Sequence, residues 1–267
     1  MRAHDLGKMS LSAHHDALTN LGFDGAQLVF RKALTDHIDF NDVQWIRRDF
    51  PDVDIMMLGA YFNPVHPDSE VVQEGIANFK KHLEIAPKIG AMTVGTETGS
   101  LMGNPWGYVP DNHLPQTLDR VIRIMRDLVS TAEHHHTHIA IEGAYNHVMY
   151  DPERVSYLLG QIPSPNLLVT VDLFNFLHIG NVDQSLLILD ECLARFADKI
   201  KIYHLKDFVV RAGQIRQVPP GQGDLDYPAI IERIKRTTPN AYLIFEGVEK
   251  NDIIPSFRYI RELVERS

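Results

Sequence analysis

Eight short β-type apolar runs alternate along the chain with longer segments of helical spacing, and this alternation constrains the fold more than any other feature. The runs are Arg2–His4, Ala26–Phe30, Asp54–Ala60, Met92–Thr96, His138–Glu142, Leu167–Asp172, Ile200–His204 and Tyr242–Glu246. Several are almost continuous, such as Leu167-Leu168-Val169-Thr170-Val171, as parallel strands covered on both faces require. Between them, Val72, Ile76, Phe79, Leu83 and Ala86 recur three or four apart and predict one buried helix face. Leu118, Ile122, Met125 and Val129 repeat that spacing, as do Leu186, Leu189, Leu193 and Phe196, and then Phe257, Ile260 and Val264. Asp151-Pro152 and Asp226-Tyr227-Pro228 place a capping carboxylate just ahead of a proline and predict two helix starts. An open doubly wound sheet reads similarly. Eight βα units in roughly 250 residues allow about 31 residues each, however, and the observed spacing is close to that. With no linker-like or repetitive stretch, the sequence predicts an α/β fold, a single-domain (β/α)8 TIM barrel over residues 1–267.

With 44% hydrophobic and 23% charged residues, the chain has the composition of a globular protein and is excluded from the disordered and collagen-like classes. Its net charge of −9 repels polyanions, so nucleic acid is not an expected partner. The one cysteine, Cys192, permits no intrachain disulfide, reads as a small core residue and fits a reducing compartment. Met1-Arg2-Ala3-His4-Asp5 lacks the apolar stretch of a signal peptide. No apolar run approaches the roughly 18 residues needed to span a bilayer. The expected location is the cytoplasm, without membrane partners.

Chemistry is concentrated at the ends of the last four runs, in Glu142, Asp172, His204 and Glu246, which follow one another at 30, 32 and 42 residues. In a barrel all strand ends converge on one mouth, so these four side chains face one another there. Three carboxylates at close quarters repel and are driven toward protonation unless a cation joins them. Oxygen donors with a single nitrogen suit one divalent ion, Mn²⁺ or Mg²⁺, and allow Co²⁺ or Zn²⁺; the absence of thiolates argues against a structural zinc site. Pairing of each residue with a nearby Lys or Arg, or helix capping, is the alternative for any one of them taken singly.

Earlier strand ends and loops add polar groups to the same mouth: His4, Gln27, Asn63 with His66, and Glu97. His4, Asn63 and Glu97 are candidate substrate contacts. So is Trp106, in the loop Asn104-Pro105-Trp106-Gly107-Tyr108, whose ring can stack on a sugar or plug the loop. Lys206 reads either as a contact to a substrate oxygen, as a counter-charge to the carboxylates, or as a salt bridge within its own Lys206-Asp207 pair. The glycine-rich loop Val218–Asp226 offers backbone N–H groups to an anion or forms a turn. His134-His135-His136 with His138 falls at a helix end before a strand, on the opposite face from the mouth, and reads as a solvated cluster.

The runs Ile141-Glu142-Gly143, Val171-Asp172-Leu173-Phe174-Asn175, His204-Leu205-Lys206-Asp207, Pro220-Gly221-Gln222-Gly223-Asp224-Leu225-Asp226-Tyr227 and Phe245-Glu246-Gly247 resemble, in order, those of the sugar phosphate isomerase/epimerase superfamily. These are the xylose isomerase-like TIM barrels, of the AP endonuclease family 2 type. The resemblance implies that Glu142, Asp172, His204 and Glu246 bind one divalent metal ion. It further implies that Glu142 and Glu246 are the catalytic acid/base pair, moving a proton next to a sugar carbonyl through a metal-stabilised enediolate. The implied activity is isomerase or epimerase on a sugar, sugar phosphate or sugar acid, in a homodimer or homotetramer. Many members carry a histidine three residues after the metal-binding aspartate, where this chain has Asn175. An amide can hydrogen-bond a substrate hydroxyl, or cap a helix, but does not titrate near neutral pH. An inosose-type dehydratase on the same site is the nearest alternative. A zinc-dependent endonuclease and a noncatalytic sugar-binding barrel are the others, opposed by the net charge and by the intact carboxylates respectively.

Overall fold

The computed structural model describes residues 1–104 and 106–266; Pro105, within the expected Trp106 loop, and Ser267 lie outside the described residues. Seven strands, β1 (Gly25–Leu28), β2 (Asp54–Gly59), β3 (Val94–Glu97), β4 (Ile139–Glu142), β5 (Leu167–Asp172), β6 (Ile200–Leu205) and β9 (Tyr242–Phe245), pair in parallel in that order. A hairpin of β7 (Asp207–Arg211) and β8 (Gln214–Val218) is inserted between β6 and β9. The helices are α1 (Leu11–Leu21), α2 (Phe30–Ala33), α3 (Gln44–Asp49), α4 (Ser69–Ile85), α5 (Pro115–His134), α6 (Pro152–Gln161), α7 (Leu173–Phe176), α8 (Ser185–Phe196), α9 (Tyr227–Thr237) and α10 (Ile253–Glu265).

The eighth stave of the barrel is reduced to Met1 and Arg2. Arg2 N–H donates to Phe245 O at 3.0 Å, and Gln27 N–H donates to Met1 O at 2.9 Å, so the segment joins β9 to β1 and closes the sheet. The expected strand Arg2–His4 is corrected accordingly: Ala3–Leu6 forms a 3₁₀ turn, closed by Asp5 N–H to Arg2 O and Gly7 N–H to His4 O. The Arg2 guanidinium braces the turn on the Asp5 carboxylate at 2.8 Å, which withdraws His4 from the strand. The second expected run also ends early, at Leu28, because Phe30 starts α2.

The helix faces follow the apolar spacing. Leu118, Ile122, Met125 and Val129 of α5 are all buried, as are Val72, Phe79 and Leu83 of α4, and each such aliphatic or aromatic side chain contributes roughly 1.5–3 kcal/mol. Val264 departs from the pattern, at 40% exposure near the end of α10. Asp151 and Asp226 cap α6 and α9 as expected, accepting from Arg154 N–H at 2.8 Å and Ala229 N–H at 3.1 Å. Cys192 is fully buried in α8. Among the described residues, no helix is long and apolar enough to cross a membrane.

Two elements escape the periodicity. Helix α1 carries its own signals, a Ser10 cap that accepts from Ala13 N–H and a left-handed Gly22 at its end. The hairpin turns at Ala212 and Gly213, both with positive φ (50° and 71°), the geometry of a type I′ turn. Phe208-Val209-Val210 and Gln214–Val218 flanking an Ala-Gly pair were the available signal.

Candidate metal centre

Strand register, more than loop conformation, assembles the mouth of the barrel. Glu97 at the end of β3 lies opposite Glu142 at the end of β4, and Asp172 at the end of β5 lies opposite His204 in β6. Glu246 directly follows β9, beside β6. Glu142, Asp172, His204 and Glu246 each bring one ligand atom into a group whose members all lie within 4.8 Å of one another. The sheet order sets Asp172 and His204 in the middle and the two glutamates on the flanks.

His204 is fully buried, and its two ring nitrogens have different tasks. Nε2 faces Oε1 of Gln27 at 2.9 Å, while the amide nitrogen of Gln27 donates to Tyr61 Oη at 2.8 Å. An amide oxygen only accepts, so Nε2 carries the proton and Nδ1 is left to the carboxylates. Nδ1 stands 2.8 Å from Glu246 Oε2, 3.3 Å from Glu142 Oε2 and 3.9 Å from Asp172 Oδ2. Burial alone lowers the basicity of this imidazole, but the charges of Glu142 and Glu246 prevail and raise it to about 10. Three carboxylates thus hold a proton where a divalent ion has the stronger electrostatic claim. Asp172 Oδ2 is buried and accepts no well-directed hydrogen bond, although the Lys206 ammonium is 2.8 Å away. Three converging carboxylates, one imidazole nitrogen and this undercoordinated oxygen fit a divalent cation.

Lys206 resolves the alternatives open in the sequence. Its buried ammonium turns to the cluster, 2.8 Å from Asp172 Oδ2 and 2.9 Å from Glu246 Oε1, and donates to Asn175 Oδ1 at 3.1 Å. The amide nitrogen of Asn175 donates to Glu142 Oε1 at 2.6 Å, so Asn175 links Lys206 to the cluster. The helix cap at this point is Asp172, which accepts from Asn175 N–H. Arg2 adds a third cation, with Nη1 2.8 Å from Glu246 Oε1; its position at the head of the chain gave it no motif in the sequence. Burial pushes both Asp172 and Glu246 upward, yet the two end apart. Asp172 is fully buried and stays above its ordinary range, whereas His204, Lys206 and Arg2 together hold Glu246 well below it.

Asp207 faces the other way. Its carboxylate accepts from the backbone N–H groups of Phe208 (2.8 Å), Gly221, Gly223 and Leu225 (3.0 Å each). The N–H groups of the glycine-rich loop are therefore spent on an internal anion. Gly223 is required there, since a Cβ would collide with Phe208 O and the Asp207 carboxylate.

A cavity of about 290 Å³ opens beside the cluster, lined by Glu97, His147, Phe174, Asn175, Lys206 and Ile215. His147 Nδ1 lies 3.1 Å from Glu97 Oε2, and the Trp106 ring meets His147 edge-on with centroids 5.7 Å apart. Burial, reinforced by Glu142 and Glu246, raises Glu97 to about 8, and burial lowers His147 to about 4. Both groups are neutral at pH 7, a carboxyl facing an imidazole. His147 had no motif in the sequence and is brought in by the loop after β4. Ile215 comes from the hairpin, which overhangs this side of the mouth, and Gln217 pins it by donating to Glu246 O at 2.8 Å.

The remaining expected contacts divide. Glu97 and Lys206 face the cavity, and Trp106 reaches it through His147. His4 lies in its 3₁₀ turn, with Nδ1 buried and unpartnered. Asn63 is spent on the loop framework: its amide donates to Ser100 O at 2.7 Å while its oxygen accepts from Val65 and Ser100 N–H at 3.1 Å each. The His134–His136 cluster stands at the end of α5, before β4, away from the mouth.

Comparison with known proteins agrees with this geometry. A family model described as "Xylose isomerase-like TIM barrel" matches residues 16–265. The chain is 28% identical over 182 residues to the probable L-ribulose-5-phosphate 3-epimerase UlaE of Mycoplasma pneumoniae; the match covers 68% of this chain and spans about half (54%) of that relative's length. A solved IOLI protein with a bound zinc atom superposes with a TM-score of 0.75 at 19% identity, covering 98% of this chain and 95% of that one. A D-tagatose 3-epimerase-like protein superposes with a TM-score of 0.75 at 16% identity, covering 99% and 96%.

Proposed function

Since the chain belongs to the xylose isomerase-like TIM barrel family, we propose that it is a divalent-metal-dependent epimerase or isomerase of a sugar, sugar phosphate or sugar acid. The observation that carries the reading is the group of Glu142, Asp172, His204 and Glu246, with one ligand atom of each within 4.8 Å of the others at the barrel mouth. These four would hold the ion. Mn²⁺, Mg²⁺, Co²⁺ and Zn²⁺ all suit three carboxylates and an imidazole, and the zinc-bearing IOLI structure supports a first-row ion. When bound, such an ion stabilises negative charge developing on a substrate carbonyl oxygen.

The chain's own groups do the rest. Glu142 and Glu246 approach from β4 and from the end of β9, on either side of His204, and a sugar carbon between them can lose its proton to one and regain one from the other. Which glutamate starts as the base depends on the direction of turnover, because epimerisation is reversible. Asn175 and Arg2 orient the two carboxylates, through Glu142 Oε1 and Glu246 Oε1 respectively. Lys206 balances Asp172 and Glu246, and neutral Glu97 offers an O–H to a substrate hydroxyl in the adjoining cavity. The hairpin β7–β8 restricts water on that side. The buried Cys192 fits the cytoplasm as the site of action, and residues 1–267 are taken as one catalytic domain.

The test is incubation with a panel of ketoses and sugar acids in D₂O, read by NMR. Inversion or isomerisation with deuterium at the carbon beside the carbonyl is expected. Loss of water from the substrate instead would replace the epimerase by a dehydratase on the same residues. No exchange with any sugar would remove the catalytic reading.

A further inference from the structure

The largest cavity, about 720 Å³, lies on the other side of the mouth, among the segments that follow the Met1–Arg2 stave, β1 and β2. Lys8, Arg31 and Lys32 stand around it, with Thr35 and Asn78 as neutral hydrogen-bonding groups. Among the described residues, none of these three cations enters an ion pair or a side-chain hydrogen bond. Elsewhere Lys80, Lys88, Arg195 and Arg233 each find a carboxylate. In a chain with 35 acidic and 26 basic residues, three unpaired cations on one concavity depart from the overall balance. The carboxylate nearest them in sequence, Asp36, is already occupied, accepting from Leu11 N–H at 2.7 Å.

The cavity is also next to the proposed chemistry. Tyr61 forms part of its wall, and the Tyr61 hydroxyl receives the Gln27 amide that in turn holds His204. His4 lies close enough to feel both Lys32 and Glu246. Like charges converging on a concave, partly apolar surface focus their field and hold a multiply charged anion better than scattered surface cations do.

We infer that this cavity receives an anionic terminal group of the substrate, a phosphate monoester, with Lys8, Arg31 and Lys32 as its counter-charges. The inference rests on the sugar reading of the metal centre and narrows it to phosphorylated sugars. A carboxylate shares the same anionic chemistry, and the test separates the two.

Binding of inorganic phosphate to the metal-loaded protein is measured by calorimetry for wild type, for a Lys8→Gln/Arg31→Gln/Lys32→Gln variant and for Lys88→Gln as a surface control. Each single variant is included in case the triple variant folds poorly. Turnover of a ketopentose, its 5-phosphate and a related sugar acid is followed in parallel. The expected result is phosphate affinity weakened about tenfold or more in the triple variant but not in the control. The loss of kcat/KM is expected to be larger for the sugar phosphate than for the free sugar. Equal phosphate binding by wild type and triple variant, or none by wild type, overturns the inference. A charge-dependent preference for the sugar acid over the phosphate overturns the phosphate assignment while keeping the anion site. Charge-dependent phosphate binding without turnover of any sugar supports the cavity assignment and counts against the sugar reading alone.

Discussion

Gln27 holds His204 by accepting from its Nε2 at 2.9 Å, and so determines which nitrogen the imidazole presents to the carboxylates. The two residues are 177 positions apart in sequence, on β1 and β6, and the contact is buried. A partner on the far nitrogen fixes the tautomer and orientation of a metal-ligating imidazole, and its loss typically costs 10–100-fold in affinity. Gln27→Met preserves volume and removes the acceptor. Divalent-metal affinity is expected to fall by about 10–100-fold with the fold retained. Titration of chelator-stripped wild type and variant checks this, and equal affinities would contradict the assignment.

Lys206 is expected to affect stability and metal affinity in opposite directions. Removing one partner of a buried charge pair costs about 3–5 kcal/mol, because the other charge is left uncompensated. Lys206→Met should therefore lower the melting temperature of the metal-free protein. The same change leaves Asp172 and Glu246 more available to a divalent ion, so the rise in melting temperature on adding metal should be larger than in wild type. A smaller rise would mean that Lys206 supports the metal centre rather than substituting for its charge.

The loop before α9 depends on Asp207. Asp207→Ala leaves four backbone N–H groups without their acceptor, and a loss of about 2–4 kcal/mol is expected after water satisfies some of them. Asp207→Asn should cost less, because one oxygen can still accept from Phe208 and Leu225 while the amide faces Gly221 and Gly223. Denaturant unfolding gives both values. An alanine variant as stable as wild type would show that the loop does not need this anchor.

Glu97 makes stability depend on pH in a definite sense. Its folded value of about 8 lies above its ordinary 4.5, so its contribution is fully present below pH 4.5 and is lost as pH rises toward 8. The slope from one such group is at most about 1.4 kcal/mol per pH unit. Relative to wild type, Glu97→Gln in chelator should gain stability steadily between pH 5 and pH 8. An offset independent of pH would show that Glu97 is ionised in the folded protein.

The strand ends were readable from sequence because each combines an apolar run with one polar terminus, and a barrel leaves such termini a single place to meet. Glu142, Asp172, His204 and Glu246 needed only that rule. Gln27 was visible as a polar strand-end residue, but its pairing with His204 depends on barrel closure between distant strands. Arg2 and His147 had no periodic or motif context, and their roles follow from the 3₁₀ turn and from the loop after β4. The destinations of Lys206 and Asp207, adjacent in sequence but facing opposite sides, were set by strand alternation once β6 ended at Leu205 and β7 began at Asp207. The shortened first stave escaped because Arg2-Ala3-His4 is β-compatible until Asp5 folds back onto Arg2.

The central claim is that Glu142 and Glu246 move a substrate proton beside an ion held by the four-residue group. Its most direct test is deuterium incorporation from solvent into a ketose phosphate while a divalent ion is titrated into chelator-stripped protein. Exchange is expected to be absent without the ion, to rise and level off at about one ion per chain, and to vanish in Glu246→Gln. Exchange at the full rate in the stripped protein, or undiminished in Glu246→Gln, would contradict it.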